Sequence, residues 1–345
     1  MKAMQLTGIL KMEMNDVPDP VIKNANDVLI RMKIVAVCGS DVHYYESGRI
    51  GSQVVEYPFI VGHECAGIVD KIGPDVKRVK PGDRIAIEPA ISCNNCDQCK
   101  SGRPHTCRNL KFLGCPGQIE GSLSEYIVMP EECCFTIPDN LSFEEAAITE
   151  PLSIGIYAVK RSNPQKKHNI GILGYGPIGM SVMLAAKKVG CKNFFITDKI
   201  DARLKIAQQE GAENIINIDK NDPVQNFIYT EPLGLDIVYE CCGKQEAMEN
   251  AIDLIKPGGL IVLIGIPSFD YWKFSADNIR RKEISIINIR RQNHCVQEAI
   301  DAISSRKINI KRMVTHRFGF NDTKQAFDLV HNYHDGVMKA MIEFE

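Results

Sequence analysis

The chain has 345 residues, of which 44% are hydrophobic and 24% charged, and its formal net charge is −2. This length predicts two domains, and the near-neutral charge argues against nucleic acid or a membrane surface as a partner. No apolar run is long enough to span a membrane, and the first residues form no secretory signal. We therefore expect a cytoplasmic protein whose 13 cysteines are thiols or metal ligands rather than disulfides.

The first 90 residues predict a β-rich domain. Apolar and polar residues alternate at 28–37, and further strands are predicted at 66–72 and 84–87, with a turn at Pro81-Gly82-Asp83 between the last two. Short strands joined by Gly and Pro turns are typical of a rolled, barrel-like β domain.

Two short motifs in this region carry candidate metal ligands, Cys38-Gly39-Ser40-Asp41-Val42-His43 and Gly62-His63-Glu64. Cysteine sulfur and histidine nitrogen are the ligands that Zn²⁺ takes most readily, and a carboxylate can complete an open catalytic site. Either Cys38 or His63 alone is more simply interpreted as a buried thiol or an ordinary histidine. The rest of the chain must show whether the two motifs belong together.

Four further cysteines follow at the spacing C-x₂-C-x₂-C-x₇-C, namely Cys93, Cys96, Cys99 and Cys107. Four thiols at this spacing can close a tetrahedron around a structural zinc ion. An iron–sulfur cluster and a nucleic-acid-binding zinc lobe are the alternatives for this cluster. Lys100, Arg103 and Arg108 are too few basic neighbours to favour nucleic acid.

The second half begins with a different pattern, after a helix predicted at 143–148. An apolar strand at 169–173 runs into Gly174-Tyr175-Gly176-Pro177-Ile178-Gly179, a helix follows, and Asp198 ends the next strand. A glycine turn of this kind lets the backbone approach a pyrophosphate at a helix N-terminus. Asp198 is expected to bind ribose hydroxyls and to repel a 2′-phosphate, which favours NAD over NADP. Arg203, one helical turn later, could accommodate a phosphate or lie beside the adenine pocket, so NADP stays open.

Strands and helices keep alternating further along the chain. Strands are predicted at 215–218, 236–240 and 260–265, helices begin near Pro223 and Gln245, and a turn is predicted at 256–259. Such alternation predicts a doubly wound parallel sheet, in which Cys191, Cys241 and Cys242 are small buried residues without chemistry. After 283–288, the sequence predicts a helix at 295–304, a strand at 313–318, a helix at 323–330 and a strand at 339–344. These last elements need a partner sheet, and the β domain of the first half is the candidate.

The motifs described above resemble, in their residues and in their order along the chain, those of the zinc-containing medium-chain dehydrogenases. The resemblance covers essentially the whole chain and is close to the sorbitol (polyol) dehydrogenase branch. The resemblance also rests on Gly48-Arg49-Ile50-Gly51, Glu150-Pro151-Leu152-Ser153 and Val314-Thr315-His316-Arg317-Phe318. It implies an α/β protein with two domains. A GroES-like β-barrel catalytic domain would comprise 1–153 and 288–345, and a doubly wound Rossmann NAD-binding domain would comprise 154–287.

The resemblance further implies roles for single residues. A catalytic zinc would be held by Cys38, His63 and Glu64, with Glu150 either a fourth ligand or the carboxylate that holds the water there; the four-cysteine cluster would hold a structural zinc. Asp41 would orient His63, and Ser40 would be the first relay for the departing proton. His43 would be a later relay, or an ordinary surface histidine. The implied cofactor-binding residues are Gly174, Gly176, Pro177, Ile178, Gly179, Asp198, Arg203, Ile264, Ile266, Asn288 and Arg290.

The implied activity is oxidation of a secondary hydroxyl of a sugar alcohol (sorbitol, xylitol or L-iditol) to the ketose, with hydride transfer to NAD. The implied substrate contacts, besides Glu150, are Tyr44, Phe112, Cys115, Arg290 and Arg291. Cys115 replaces a threonine and Arg291 a tyrosine that are usual in this branch, and because Arg pairs suit phosphate groups, a phosphorylated polyol is an alternative substrate.

An activity like that of L-threonine 3-dehydrogenase is a second alternative. A non-catalytic relative is a third, although such a protein would be expected to lose ligands that this chain keeps. Relatives also lead us to expect a homo-oligomer, dimer or tetramer, in which the strand at 284–287 pairs across a two-fold axis.

Overall fold

A computed structural model describes residues 1–345, with the exception of the side chains of residues 228 and 229. Contacts within the chain divide it into two compact units, Met1–Glu150 with Val296–Glu345, and Pro151–Cys295. The sequence predicts these limits at 153 and 288 instead. In the described part of the chain, no helix is both long and apolar enough to cross a membrane.

The first segment of the two-segment unit is mostly β-structure. Its elements are β1 (Lys2–Gly8), β2 (Lys11–Asp16), β3 (Asp27–Ala36), α1 (Gly39–Ser47), β4 (Arg49–Ile50), β5 (Gln53–Val54), β6 (Glu64–Ile72), β7 (Arg84–Ile87), β8 (Ala90–Ile91), α2 (Asp97–Lys100), β9 (Lys111–Phe112), β10 (Tyr126–Pro130), β11 (Cys134–Thr136) and α3 (Phe143–Ala147). Ser142 caps α3 as predicted: its side chain accepts the backbone N–H of Glu145.

The second unit alternates helices and strands. Its elements are α4 (Thr149–Ser162, which begins in the first unit), β12 (Asn169–Leu173), α5 (Pro177–Lys188), β13 (Asn193–Asp198), α6 (Asp201–Gln209), β14 (Asn214–Asn217), α7 (Pro223–Thr230), β15 (Leu235–Glu240), α8 (Gln245–Leu254), β16 (Ile255–Leu263), α9 (Ala276–Lys282) and β17 (Ser285–Asn288). The six strands form one parallel sheet in the order β14-β13-β12-β15-β16-β17. This is the doubly wound order in which two βαβ halves meet between β12 and β15.

Two sequence predictions for this unit are wrong in detail. The predicted turn at 256–259 lies inside β16, where the pairing with β15 jumps from Leu235 opposite Ile255 to Ile237 opposite Leu260. The extra residues bulge out of the ladder, so the turn residues are present but do not end the strand. Cys242 is exposed and Cys241 half-buried, rather than buried as predicted, because both lie in the loop after β15.

The returning segment completes the first unit. Its elements are α10 (Val296–Ser304), β18 (Val314–Gly319), α11 (Thr323–His331) and β19 (Lys339–Glu343). As the sequence predicts, they join the sheet of the first segment: β19 pairs antiparallel with β3, and β18 pairs parallel with β19. The resulting sheet runs β11-β7-β6-β3-β19-β18, and β10 also pairs with β3. The core of this unit is built on β3, whose residues Val28, Ile30 and Met32 are all buried.

Candidate active site and metal centres

Cys38, His63 and Glu64 converge at one end of the first unit's sheet. Cys38 lies at the N-terminus of α1, just after β3, and Glu64 opens β6, where it lies opposite Ala36 of β3. One ligand atom from each of the three residues lies within 4.8 Å of the other two. His63 and Glu64 are buried, and Cys38 is half-buried. A thiol, an imidazole and a carboxylate therefore meet at one point, which is a donor set that suits zinc.

Asp41 holds this group from the α1 side. Its side chain is fully buried, and Oδ1 lies 3.2 Å from His63 Nδ1. The same carboxylate accepts the backbone N–H of Gly62 at 3.2 Å and that of Cys38 at 3.4 Å. A contact to Nδ1 leaves Nε2 of His63 available to a metal, which is the usual arrangement behind a metal-bound histidine.

Lys339 is a member of the site that sequence reasoning missed. It is 2% exposed, and its Nζ donates to both carboxylate oxygens of Glu64, at 2.8 and 2.6 Å, and to the carbonyl oxygen of Val37 at 3.1 Å. Burial acts to lower the pKa of Lys339, but the Glu64 carboxylate outweighs it, so the net shift is upward and the ammonium stays charged. Each oxygen of Glu64 keeps a lone pair, so this ion pair does not prevent Glu64 from binding a metal.

Glu150 lies near this group but is not one of the three residues whose ligand atoms converge. It is buried, and this burial raises the pKa of its carboxyl to about 8; His63 lowers that pKa and the Glu64 carboxylate raises it. A buried carboxyl with this pKa holds its proton near neutral pH unless a cation is close by. Both predicted roles for Glu150, a fourth ligand or the carboxylate that holds the water, stay predictions.

Ser40 and His43 follow Cys38 on α1. Ser40 Oγ donates to Cys38 Sγ at 3.3 Å, and His43 Nδ1 lies 3.0 Å from Oε1 of Glu46. Residues three apart on a helix share a face, so Ser40, His43 and Glu46 form a line along α1. His43 is half-buried and hydrogen-bonded, and both of its predicted roles, later relay or ordinary surface histidine, stay predictions.

Besides Glu150, three predicted substrate contacts lie in this unit, and all three are buried. The Phe112 ring lies 5.2 Å from the His63 ring, and the hydroxyl of Tyr44 lies 3.8 Å from Cys115 Sγ and donates to Gln53 at 3.1 Å. Phe112 therefore lies directly against a candidate ligand. The other two predicted contacts, Arg290 and Arg291, follow β17 in the second unit.

The four-cysteine lobe has the dimensions of a tetrathiolate site. One sulfur from each of Cys93, Cys96, Cys99 and Cys107 lies within 4.8 Å of the others. The Sγ of Cys96 lies 3.5 Å from that of Cys99 and 3.8 Å from that of Cys107, and all four thiols are free. With Zn–S bonds of about 2.3 Å, a tetrahedral site places its sulfurs about 3.8 Å apart. The lobe fits zinc.

The glycine motif forms the turn between β12 and α5. Gly174 has a φ of +93°, and a Cβ at Gly179 would lie 2.1 Å from the carbonyl oxygen of Gly174, so neither position accepts another residue. Gly176 caps α5 and Pro177 is its first residue, which leaves the helix N-terminus open to a phosphate. The turn fits a dinucleotide.

Asp198 lies at the end of β13 beside this turn. Its two carboxylate oxygens accept the backbone N–H groups of Tyr175, at 2.7 Å, and of Ile200, at 2.9 Å. Each oxygen retains a lone pair for a ribose hydroxyl. Arg203 is buried on α6, with Nη1 3.5 Å from the position that a Cβ at Gly176 would take.

The remaining predicted cofactor contacts lie at or just beyond the carboxyl ends of strands in the same sheet. Ile264 follows β16 and donates its N–H to the carbonyl oxygen of Glu240, while Ile266, Asn288 and Arg290 are exposed. This edge is where doubly wound sheets bind ligands.

Comparisons with known proteins identify the family. The model described as "Alcohol dehydrogenase GroES-like domain" matches residues 24–139, and the one described as "Zinc-binding dehydrogenase" matches residues 177–305. The chain is 36% identical to sorbitol dehydrogenase of Bacillus subtilis (strain 168) over 343 residues, which are 99% of this chain and 97% of that protein. It is 38% identical to L-idonate 5-dehydrogenase of Vitis vinifera over 309 residues, 88% of this chain and 84% of that protein.

A solved structure is similar over the same length. It is an Escherichia coli oxidoreductase/dehydrogenase of unknown specificity, 32% identical, with a TM-score of 0.93, and the match covers 100% of this chain and 99% of that one. The predicted fold class, a GroES-like domain plus a doubly wound domain, is confirmed, and the chain is an oxidoreductase. With a converged zinc donor set on one unit and a dinucleotide turn on the other, the chain belongs to the zinc-containing medium-chain dehydrogenases, in their sorbitol dehydrogenase branch.

Proposed function

We propose that this protein oxidises a secondary hydroxyl of a sugar alcohol to the ketose, with zinc at Cys38, His63 and Glu64 and with NAD as the hydride acceptor. The observation that carries the proposal is the convergence of those three ligand atoms within 4.8 Å in a buried site. The substrate class is supported by the relatives named sorbitol dehydrogenase and L-idonate 5-dehydrogenase, which both match over most of their length.

The side chains around the ligands prepare the site for proton removal. Zinc, when bound, lowers the pKa of an oxygen in its open position and so favours loss of the substrate's hydroxyl proton. Asp41 fixes the ring of His63, and Ser40, hydrogen-bonded to Cys38, is a hydroxyl next to the ligands that can pass the proton on. Glu150 is a buried acid that can hold a water molecule or a substrate hydroxyl next to the ligands.

NAD is proposed over NADP because of Asp198. A carboxylate at the end of β13, beside the glycine turn, suits two ribose hydroxyls and repels a phosphate in the same place. Arg203 also lies near the turn, with Nη1 3.5 Å from the position that a Cβ at Gly176 would take. We likewise propose that the four-cysteine lobe holds a structural zinc, so that each chain binds two zinc ions.

The decisive test is a kinetic panel. Initial rates are measured with C4 to C6 polyols, with their phosphate esters and with L-threonine, each with NAD⁺ and NADP⁺. We expect the highest kcat/KM with an unphosphorylated polyol and NAD⁺. A preference for phosphate esters would move the assignment to the phosphorylated-polyol alternative and give Arg290 and Arg291 a role in binding the phosphate.

Metal removal tests the zinc assignment separately. After treatment with a strong chelator, polyol-dependent reduction of NAD⁺ should be lost and should return on addition of Zn²⁺. An activity that survives complete loss of zinc would contradict the proposal.

A further inference from the structure

Glu46 joins two histidines between α1 and α11. Its Oε1 lies 3.0 Å from Nδ1 of His43, and its Oε2 lies 2.9 Å from Nδ1 of His331. His43 precedes Glu46 by three residues on α1, whereas His331 is the last residue of α11, 285 positions further along the chain. Both contacts use Nδ1, so both rings face the carboxylate in the same way.

The chemistry of the groups indicates where the protons lie. A carboxylate only accepts hydrogen bonds, so each Nδ1 must carry its hydrogen. A neutral histidine with hydrogen on Nδ1 has Nε2 as a bare acceptor, which makes Nε2 of His43 a base. This base lies one helical turn beyond Ser40, whose hydroxyl touches the candidate ligand Cys38.

We propose that Glu46 and His331 are positioning residues for proton release: Glu46 holds His43 with Nδ1 protonated and Nε2 as the proton acceptor, and His331 holds Glu46. The inference rests on the proposed function, in which the CH–OH group loses a hydride to NAD⁺ and one proton to the protein. That proton adds to Nε2 of His43, the resulting imidazolium is stabilised by the Glu46 carboxylate, and it then releases the proton to solvent. His43 is 24% exposed at its side chain, which permits this release.

The neighbouring charges provide a matched control. Tyr45 OH donates to Asp328 at 2.6 Å, and Lys324 Nζ donates to the same carboxylate at 2.7 Å. The Tyr45 ring also lies edge-on to His331, with ring centres 6.3 Å apart. The Tyr45–Asp328 contact therefore links α1 to α11 as Glu46–His331 does, but it has no contact to His43. If only the link between α1 and α11 matters, removing the Glu46 carboxylate and removing the Asp328 carboxylate should change kcat equally.

The test compares Glu46→Gln, His331→Asn and Asp328→Asn with the wild type in polyol oxidation. We expect Glu46→Gln to lower kcat by about 10-fold, a part of the 10²–10⁴-fold that a complete acid–base group supplies. Loss of the carboxylate also removes stabilisation of the imidazolium, so the acid limb of the kcat/KM profile should move to lower pH. His331→Asn keeps the Glu46 carboxylate and removes one of the rings that hold it, so it should lower kcat by less than Glu46→Gln does. Asp328→Asn should leave kcat and the limb unchanged, and all three variants should bind as much zinc as the wild type.

The ring tautomers give a readout on the wild type that does not depend on its activity. In ¹⁵N NMR spectra of the wild type, with His43 and His331 assigned by single substitutions, both neutral rings should carry hydrogen on Nδ1. Hydrogen on Nε2 of His43 would overturn the inference, as would an unchanged pH profile in Glu46→Gln or an equal shift in Asp328→Asn. A wild type inactive on every polyol would instead overturn the proposed function, and this inference with it.

Discussion

Lys339 places a buried positive charge beside the candidate metal site. Its ammonium is buried against Glu64, so this candidate ligand is already paired with a positive charge from the chain itself. Breaking such a pair leaves an uncompensated buried charge, which typically costs about 3–5 kcal/mol. A metal ion at Cys38, His63 and Glu64 would supply positive charge to the same carboxylate. Lys339 and zinc should therefore substitute for each other in part.

We expect Lys339→Met to lower the free energy of unfolding by about 3–5 kcal/mol when a chelator is present. With saturating Zn²⁺ the loss should be smaller, because the ion binds the folded state and compensates Glu64. Denaturant unfolding curves with and without Zn²⁺ measure both values. Lys324→Met is the matched control: this half-exposed lysine pairs with Asp328 at the surface and should cost less than about 1 kcal/mol under either condition. A zinc-independent loss for Lys339→Met would contradict the argument.

The candidate ligands could be identified from the sequence because their signals are local. Cys38 and His63 lie in short motifs, and four cysteines within fifteen residues reveal themselves by spacing. Lys339 could not, because its partner lies 275 positions away and meets it only when β19 joins the sheet at β3. The one available signal was a lysine inside the apolar run 337–342. The Glu46–His331 contact was missed for the same reason.

The four-cysteine lobe is an element with almost no core of its own. Between Ile91 and Leu110 the only buried side chains among these fully described residues are His105 and Cys107. Its helix α2 has four residues, and the Asp97–Arg108 pair that links its two ends is exposed, with Arg108 Nη2 2.9 Å from Asp97 Oδ2. A hydrophobic core cannot order such a segment, whereas a structural zinc binds with about 10–16 kcal/mol in isolated peptides.

Cys99→Ser should therefore remove one zinc ion per chain and disorder the lobe while leaving the other zinc in place. Elemental analysis should fall from two zinc ions per chain to one, and proteolysis should cleave within 93–107. Cys191→Ser, a buried thiol outside both ligand groups, should keep two ions and stay intact. If Cys99→Ser keeps both ions, or if the lobe resists proteolysis without zinc, the structural role assigned to this metal is wrong.

The start of β16 is an element boundary that the sequence does not predict correctly. Lys256-Pro257-Gly258-Gly259 has the composition of a turn, and Gly258 has a φ of +74°, as a turn residue would. The structure nevertheless continues the strand on either side, because Ile255 already pairs with Leu235 before the bulge. The composition of 256–259 correctly predicts a bend in the backbone. It does not predict that the residues on both sides of the bend pair with β15, because that pairing depends on a different part of the chain.

At the scale of the whole molecule, the sheet of the second unit ends at the edge strand β17. Among the described residues, β17 has β16 as its only partner strand. The N–H of Ile289 donates to Leu263 of β16, so by alternation the N–H groups of 287 and 285 face β16 and that of Ile286 faces outward. An exposed strand edge invites pairing with another chain. Tyr271, 83% exposed, and Phe274, 48% exposed, lie on the segment that leads to β17.

We therefore expect a homo-oligomer in which β17 pairs with the same strand of a second chain, and Ile286→Pro tests this. Proline removes one outward N–H without removing a bond to β16, so it should break the contact between chains and leave the sheet intact. Light scattering should report a mass two or four times the 38.5 kDa of one chain for the wild type, and a smaller assembly for Ile286→Pro. Because Ile286 also packs against the core of its unit, Ile286→Ala is the control: it loses the same packing, keeps the N–H and should keep the wild-type mass. A wild-type mass in both variants would place the contact between chains elsewhere, and a single-chain mass for the wild type would show that this edge is not used.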